Sequence, residues 1–485
     1  MQIPVFLFFG HCFLSFRRFS KKYQFNKGVK QGLIRRFCMK YEKWSLGYFF
    51  LKQYVRFADF IIHKKIIVNG KENIPGKVPI VFAPNHQNAL SDPMAILLHT
   101  PFQPVWLGRA DIFKNKIAAF LLRFLKIMPV YRLRDGKEQL SRNDKTFADS
   151  IRVLENHVPL ALFPEAAHSG RRQMLPHKKA VPRIVFLAEE KAGHNLNIHI
   201  IPTGIYYSSY WKFNRTVIVN LGAPVRANDF LEEYAENPNN ATQQLKDALY
   251  NAIEPLTLNI KSKEHYEDFE TIREIYGKEY LRRQNKRFSP TTLFHSDQQL
   301  VRQLDECEAH SPEKTNELIK LTRDYKKTLK KHGLKSWLLD KSNYNALKIV
   351  RNKLILLIGF PVFLLGFIFN AVPFFLIDSI SRKKLKDIAF RSTFFLVLGL
   401  LFFPIVYLLE LWAVSALLPG VWLKLLFLVS LPFAGKLAFR WYILFLKTWG
   451  RGRLLYLRLF CKTTFTQLQS KKEKLYSTLE SMITV

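Results

Sequence analysis

Apolar and polar positions between residues 65 and 225 alternate in a way that predicts strands and helices in turn. Short apolar runs bounded by turn-forming residues are typical of buried strands, and longer runs with helical periodicity are typical of amphipathic helices. This order indicates an α/β domain with a largely buried sheet. The predicted strands are 65–68, 78–83, 158–163, 198–204 and 216–221, and the clearest helices between them are 117–125 and 143–156.

Helical segments flank this domain on both sides. Residues 41–64 predict an amphipathic helix with one polar stripe on a surface that is otherwise aromatic and aliphatic. Such a helix either lies in a membrane interface or packs on the following domain, and the pattern favours neither placement. Residues 226–352 are polar and predict a soluble helical extension without an assignable function. The polar stripe consists of Lys52, Arg56, Asp59 and His63.

The last quarter of the chain contains a predicted membrane region, residues 353–446. The stretch 354–377 carries no charge and is long enough to cross a bilayer, although Pro361, Asn370 and Pro373 interrupt it. A second apolar block, 392–435, is broken by a Leu-Pro-Gly turn and predicts two membrane helices.

Basic residues favour a cytoplasmic position for the linker 382–391, for the tail 447–485 and for the α/β domain. This topology requires 354–377 to be re-entrant and the later block to be a full hairpin, and the sequence leaves it open. We therefore expect an integral membrane protein whose soluble domain faces the cytoplasm.

Residues 1–40 form a basic extension that contains no Asp or Glu. The apolar run 3–16 is too short for an ordinary spanning helix. It is also a poor signal peptide, because the positive charges follow the apolar part and no small-residue cleavage site is present. One hypothesis is that Met39 is the true start and that the preceding residues are a misassigned extension.

The charge and the cysteine content of the chain limit the classes of partner that it can be expected to bind. Lys plus Arg number 74 against 38 Asp plus Glu, a net charge of +36 that indicates anionic partners. The excess is spread along the chain without a zinc-finger, RNA-binding or basic-zipper pattern, so membrane lipids are favoured over nucleic acid. The four cysteines contain no CxxC pair, and neither a metal site nor a disulfide framework is predicted.

The most distinctive stretch is 85–93, directly after a predicted buried strand. His86 lies in the loop, and Asp92-Pro93 predicts the N-cap and first position of the next helix. A His held by a carboxylate can take a proton from a substrate hydroxyl, because the carboxylate fixes the tautomer and stabilises the imidazolium. The alternative is an Asp that only caps the helix and a His that only fills the loop.

Three further stretches lie where strands of this domain are predicted to end, which is where open α/β sheets bind ligands. They are 108–114, 163–169 and 201–204. Their basic residues are candidates for a phosphate-binding set around His86. The alternative is that each is a solvated surface charge and that Glu165 is only a turn residue. The candidate set is Arg109, Arg171, Arg172, Lys178 and Lys179.

Together and in this order, the four stretches resemble the motifs of the glycerolipid acyltransferase family, which transfers fatty acyl groups to glycerol-phosphate acceptors. The resemblance covers roughly residues 65–225 and implies an acyltransferase domain with a mixed sheet flanked by helices. It implies that His86 is the general base and Asp92 its partner. Arg109 and the Pro164-Glu165 pair match acceptor-binding motifs, and 201–202 matches the fourth motif.

Two departures from the family pattern bear on the acceptor. Five residues separate His86 from Asp92, where the family commonly has four. This spacing is similar to the glycerol-3-phosphate/dihydroxyacetone-phosphate acyltransferases that carry a C-terminal membrane region. In the third motif Ala166-Ala167-His168 replaces the usual Gly-Thr-Arg, so the phosphate-binding Arg is missing and Arg171 or Arg172 is expected to replace it. His168 itself is a further expected substrate-binding residue.

The resemblance therefore implies acyl transfer from acyl-CoA or acyl carrier protein to glycerol 3-phosphate or dihydroxyacetone phosphate, without metal or cofactor. Lysophosphatidic acid is the alternative acceptor. A hypothesis from a different functional class is that the chain is an inactive relative that binds anionic lipid. A nucleic-acid-binding protein is a third possibility, which the membrane segments disfavour.

Overall fold

The computed structural model describes residues 40–131, 141–210, 212–340, 343, 345–384 and 391–483. The hypothesis of a start at Met39, and the basic extension before residue 40, lie outside these residues.

An eight-stranded mixed sheet forms the centre of the α/β domain in the part of the chain that is described. Its strands follow the order β1-β7-β6-β2-β5-β3-β4, with β8 pairing on β6. All pairs are parallel except β6–β7 and β6–β8, which are antiparallel. The strands are β1 (His63–Asn69), β2 (Ile80–Pro84), β3 (Val105–Arg109), β4 (Ile127–Val130), β5 (Leu160–Ala161), β6 (His199–Tyr207), β7 (Arg215–Leu221) and β8 (Val225–Arg226).

Helices cover both faces of the sheet, because alternate strand residues are buried on opposite sides. Val81 of β2 packs in one apolar cluster together with Val185, whereas its neighbour Phe82 packs in another together with Ile96. The α/β fold with a mixed sheet is thus confirmed. The helices of this part are α1 (Leu46–Ile62), α2 (Ser91–Leu97), α3 (Lys116–Phe124), α4 (Arg142–Glu155), α5 (Ala180–Lys191), α6 (Leu231–Glu236) and α7 (Pro238–Ile253).

Lys52 and Asp59 of the polar stripe of α1 face the domain, whereas Arg56 is exposed. Lys52 Nζ donates to the carbonyl oxygens of Thr100 and Phe102, both at 2.7 Å. The aromatic side of α1 meets the membrane helices, where the ring of Phe57 lies 5.9 Å from that of Phe433. The helix α1 thus packs on the domain with one side and contacts the predicted membrane region with the other, whereas its placement in a membrane interface stays a prediction.

The helical extension and the end of the chain share one core. Helices α8 (Tyr266–Arg283), α9 (Pro290–His310) and α10 (Pro312–Lys331) pack together with α14 (Lys462–Met482). Leu468, Leu475 and Leu479 of α14 are fully buried in this core. The segment 447–485 is thus more than the basic tail that its charge predicts, because the apolar stripe of α14 packs against the extension.

Among the residues that the structure describes, three helices are long and apolar enough to cross a membrane: α11 (Ala346–Lys384), α12 (Arg391–Val414) and α13 (Val421–Phe460). The helix α11 continues through both prolines that were expected to interrupt it. Its Asn370 is satisfied by neighbouring helices, since Nδ2 donates to the carbonyl oxygen of Leu431 at 3.2 Å and Oδ1 accepts from the hydroxyl of Tyr407 at 2.7 Å. Such partners make a polar residue tolerable in an apolar segment.

Candidate active site

The parallel strands β2, β3, β5 and β6 end at one edge of the sheet, and the motif residues follow them there. Asn85 fixes the first loop to this edge. It is fully buried, its backbone N–H donates to Thr203 O at 3.1 Å, and its side-chain Oδ1 accepts the N–H of Ile205 at 2.7 Å. The loop that carries His86 therefore starts from a rigid position beside β6.

His86 and Asp92 form the pair that the sequence predicted. The distance from His86 Nδ1 to Asp92 Oδ2 is 2.9 Å, and the side chains are 15% and 1% exposed. An ionised carboxylate can only accept, so Nδ1 carries the proton and Nε2 has a free lone pair. This is the tautomer that a general base requires.

Asp92 is not the N-cap that was predicted. The helix α2 begins at Ser91, with Leu90 at the capping position. The carboxylate turns back into the loop, where Oδ2 also accepts the N–H groups of Gln87 at 2.8 Å and Asn88 at 2.7 Å. Asp92 Oδ2 thus accepts from two loop N–H groups and from the imidazole, and not from the N–H groups of the helix. One carboxylate therefore stabilises the loop and orients the base.

Aromatic rings hold the plane of the imidazole. The ring of Phe163, which follows β5, stacks on His86 at 3.8 Å with an interplanar angle of 16°. Behind it lies Trp106 of β3, 5.5 Å from Phe163. His86 is thus fixed by a hydrogen bond at one edge and by packing on one face.

Glu165 connects the third motif to the first. Its Oε1 accepts the N–H of His86 at 3.1 Å, and its Oε2 accepts the N–H of Leu175 at 3.2 Å. Burial raises the pKa of this carboxyl to about 8, and the charge of Asp92 adds to the effect. The carboxyl group holds main chain on both sides of the site, a structural role that the sequence did not predict.

Arg172 cannot replace the missing phosphate-binding Arg, which corrects one of the two options above. It is 3% exposed, its Nε donates to Glu270 Oε1 at 3.0 Å, and its Nη1 donates to Tyr207 O at 2.7 Å. The guanidinium lies between the rings of Tyr206 and Tyr210. The guanidinium is therefore held inside the protein by the sheet and the helical extension.

The other predicted substrate-binding residues lie at or near the surface. Arg109, 44% exposed, pairs with Asp111 next to the end of β3. Arg171 is half exposed and lies over the ring of Tyr266. Lys178 and Lys179 are exposed, whereas Pro164 is buried and its carbonyl oxygen accepts the N–H of Lys178 at 2.8 Å.

His168 is the predicted binding residue that the structure places beside the base. Its ring centre lies 5.4 Å from that of His86, at an angle of 59°. The residue occupies the position where the family has Arg, so an imidazole replaces a guanidinium next to the general base.

A buried polar chain behind the loop was missed by the sequence analysis. Arg215 donates through Nε to His63 Nε2 at 3.1 Å and through Nη2 to Ser91 Oγ at 3.3 Å. His63 and His99 both contact Asp59 of α1. Burial alone would raise the pKa of Asp59, but the hydrogen bonds and charges of the two histidines lower it to about 2. Only the antiparallel pairing of β7 brings Arg215 to this edge, and no local pattern indicates it.

Comparison with known proteins agrees with this geometry. The family model described as "Acyltransferase" matches residues 65–206, which contain all four motifs. This part of the chain therefore matches the acyltransferase family. The resemblance to glycerolipid acyltransferases is thus confirmed, and the matched region of the acyltransferase domain ends within β6, before the extension and the membrane helices.

One relative and one solved structure are similar to parts of the chain. Glycerol-3-phosphate O-acyltransferase 1 of Saccharomyces cerevisiae is 23% identical over 241 residues, which are 48% of this chain and 31% of the yeast protein. The chain thus aligns with about a third of that relative. The crystal structure of the 1-acyl-sn-glycerophosphate (LPA) acyltransferase PlsC from Thermotoga maritima is 19% identical, covers 45% of this chain and 86% of its own, and has a TM-score of 0.31.

Proposed function

We propose that the protein is a membrane-bound O-acyltransferase that moves a fatty acyl group from acyl-CoA or acyl carrier protein to glycerol 3-phosphate, or to dihydroxyacetone phosphate. The observation that carries the proposal is the buried His86–Asp92 pair, 2.9 Å apart, inside an acyltransferase-family domain. A surface histidine in a loop has no need of a carboxylate that is itself held by two backbone donors.

The reaction follows from the tautomer of His86. Nε2 takes the proton from the acceptor hydroxyl, and the oxygen attacks the thioester carbonyl carbon to give a tetrahedral intermediate. The C–S bond then breaks, the thiolate leaves, and it receives the proton from the imidazolium. Asp92 stabilises the imidazolium in between. The step requires no acyl-enzyme, no metal and no cofactor.

The phosphate of the acceptor is assigned to the cationic side of the site. His168 lies next to the base, and Arg109, Arg171 and Lys178 lie at the surface beyond the same strand ends. Glu165 keeps the third motif against the base. The similarity to the yeast glycerol-3-phosphate O-acyltransferase supports glycerol 3-phosphate as the acceptor.

The membrane region supports a site at the cytoplasmic surface of a membrane. The first turn of α12 contacts the loop of His86, so the base lies at the end of an apolar helix. The same observation favours a second candidate: a lipid acceptor, lysophosphatidic acid, would reach His86 from the bilayer. An inactive protein that only binds anionic membrane lipids is a third reading, and nucleic acid is not expected as a partner.

Transfer of labelled palmitate from palmitoyl-CoA tests the proposal. The full chain is assayed in membranes of a host without this activity, with glycerol 3-phosphate, dihydroxyacetone phosphate and lysophosphatidic acid offered separately. We expect product from the water-soluble acceptors, lost in His86→Ala but retained in His295→Ala, a matched change of an exposed histidine in the extension.

Three other outcomes have distinct meanings. Product formed only from lysophosphatidic acid would move the enzyme to the second acylation step. If no acceptor gives a product, with acyl-CoA or with acyl carrier protein donors, the enzymatic proposal is overturned. Binding of His86→Ala to anionic vesicles, together with the absence of product, would favour a protein that only binds lipid.

A further inference from the structure

The first turn of the membrane helix α12 is hydrogen-bonded to the loop of His86. Ser392 Oγ donates to Asn88 Oδ1 at 2.6 Å, and the N–H of Leu90 donates to Thr393 Oγ1 at 3.1 Å. A third contact joins the hydroxyls of Ser91 and Ser392 at 3.3 Å. These partners are separated by more than 300 residues along the chain.

We propose that Ser392 and Thr393 are positioning residues for the general base, and that the membrane region is a part of the active site beyond its role as an anchor. The inference rests on the proposed function, because it concerns the loop that holds His86.

The contacts reach the base through two steps. Asn88 is fully buried, and its backbone N–H donates to Asp92 Oδ2 at 2.7 Å, the oxygen that also holds His86. By fixing the side chain of Asn88, Ser392 fixes the direction of that N–H. A small displacement of the carboxylate would move the imidazole away from the acceptor, and misplacement by about 1 Å can cost about 100-fold in rate.

Thr393 acts on a part of the loop with unfavourable backbone geometry. Ala89 has a φ of 41°, in the left-handed region that non-glycine residues avoid. Such a conformation persists only where its surroundings hold it. The N–H of the next residue, Leu90, is held by the hydroxyl of Thr393, so the contact with α12 stabilises the loop where it is least favourable.

The start of α12 is itself held in place by its neighbours. Arg391 pairs with Asp378 of α11 at 2.7 Å. Farther along α12, the carbonyl oxygen of Leu400 accepts the hydroxyl of Tyr54 from α1 at 2.7 Å. The hydroxyls of Ser392 and Thr393 therefore contact the loop from a fixed support.

The test uses the full chain in nanodiscs with Ser392→Ala, Thr393→Val and the double variant. Ser430→Ala is the matched control, since that hydroxyl on α13 donates to the carbonyl oxygen of Phe427 in its own helix and has no other hydrogen bond to the described part of the chain. We expect the double variant to lower kcat by about 10–100-fold with KM for both substrates unchanged. The conservative variants Ser392→Thr and Thr393→Ser should restore most of kcat.

A second measurement does not depend on turnover. Carbethoxylation of His86 by diethylpyrocarbonate is followed by mass spectrometry of its peptide, and the rate should rise in the double variant but not in Ser430→Ala. Wild-type kcat together with a wild-type modification rate in the double variant would overturn the inference. If the wild-type chain transfers no acyl group, the proposed function fails, and the modification rate alone decides whether α12 positions His86.

Discussion

The side chain of Glu165 accepts the backbone N–H of His86 at 3.1 Å, so the third motif holds the main chain of the first. The other oxygen of Glu165 holds Leu175, ten residues farther along. A single buried carboxyl therefore joins the ends of two strands across the candidate site. This structural connection alone gives a physical reason for a glutamate at this position of the third motif, whether or not Glu165 also contacts the acceptor.

The stability of Glu165→Gln, compared with that of the wild type at the same pH, should increase as pH rises. Burial raises the pKa of the carboxyl from 4.5 to about 8, so between these values the folded protein keeps a proton that the unfolded chain has released. The stability that comes from this proton is fully present below the unfolded pKa and is lost as pH rises through the folded one, at up to ~1.4 kcal/mol per pH unit. Glutamine does not titrate.

Thermal unfolding in detergent, measured at intervals from about pH 5 to pH 8, checks this expectation. The Tm of Glu165→Gln minus that of the wild type should increase steadily with pH. A difference that stays constant across the range would contradict the raised pKa. His295→Ala, an exposed residue of α9, should follow the wild type.

Asp92→Asn should separate the charge of the carboxylate from its role in the loop. Asp92 Oδ2 accepts all three contacts, from His86, Gln87 and Asn88, and an amide oxygen in the same place can accept all three. The loop should therefore keep its shape while the imidazolium loses its counter-charge. We expect kcat to fall by about 10²–10⁴-fold with KM and Tm nearly unchanged.

Asp92→Ala is the comparison that makes this result informative. It removes the acceptor as well as the charge, so the two loop N–H groups lose their partner and Tm should fall together with kcat. Equal Tm losses in the Asn and Ala variants would show that the loop depends on the charge itself, against the expectation.

The parts of the fold that the sequence predicted correctly depend on local patterns. Short apolar runs gave β2, β6 and β7 within a few residues, and the loop after β2 stood out because His86 and Asp92 are close in the chain. The strand β4 was missed, because Ile127–Val130 follows the apolar helix α3 after only two residues and has no pattern of its own.

Contacts between distant segments could not be predicted in this way. Arg171 and Arg172 are neighbours of the same residue type. Arg172 is nevertheless buried, because it pairs with Glu270 of a helix almost 100 residues later in the chain. Ser392 and Thr393 look like ordinary polar residues at the start of an apolar run. Nothing near them in the chain indicates that they contact Asn88 and Leu90.

The neighbouring residues Arg171 and Arg172 should respond to the same change in opposite ways. Arg172→Met leaves Glu270 with Arg273 as its remaining partner but removes the donor of the buried Tyr207 carbonyl oxygen, and should cost about 1–3 kcal/mol of stability, seen as a drop in Tm. Arg171→Met should leave Tm unchanged and raise KM for glycerol 3-phosphate about tenfold, because it removes a charged contact to the phosphate. Steady-state kinetics and thermal unfolding on both variants check the pair, and a Tm loss in Arg171→Met with normal KM would reverse the assignment.

Lys436→Met should weaken the junction between α1 and the membrane region. Lys436 of α13 is buried, and its Nζ donates to the carbonyl oxygens of Phe60, in the last turn of α1, and of His63 at 3.0 Å. Methionine keeps the volume but leaves both carbonyls without this donor, at about 1–3 kcal/mol for each buried group. We expect a lower Tm in detergent, whereas Lys447→Met, an exposed lysine on the same helix, should leave Tm unchanged.

Because His63 also contacts Arg215, which holds Ser91 at the start of α2, a smaller loss of kcat should accompany the lower Tm of Lys436→Met. An unchanged Tm in Lys436→Met would mean that α1 is held by its contacts with the domain alone.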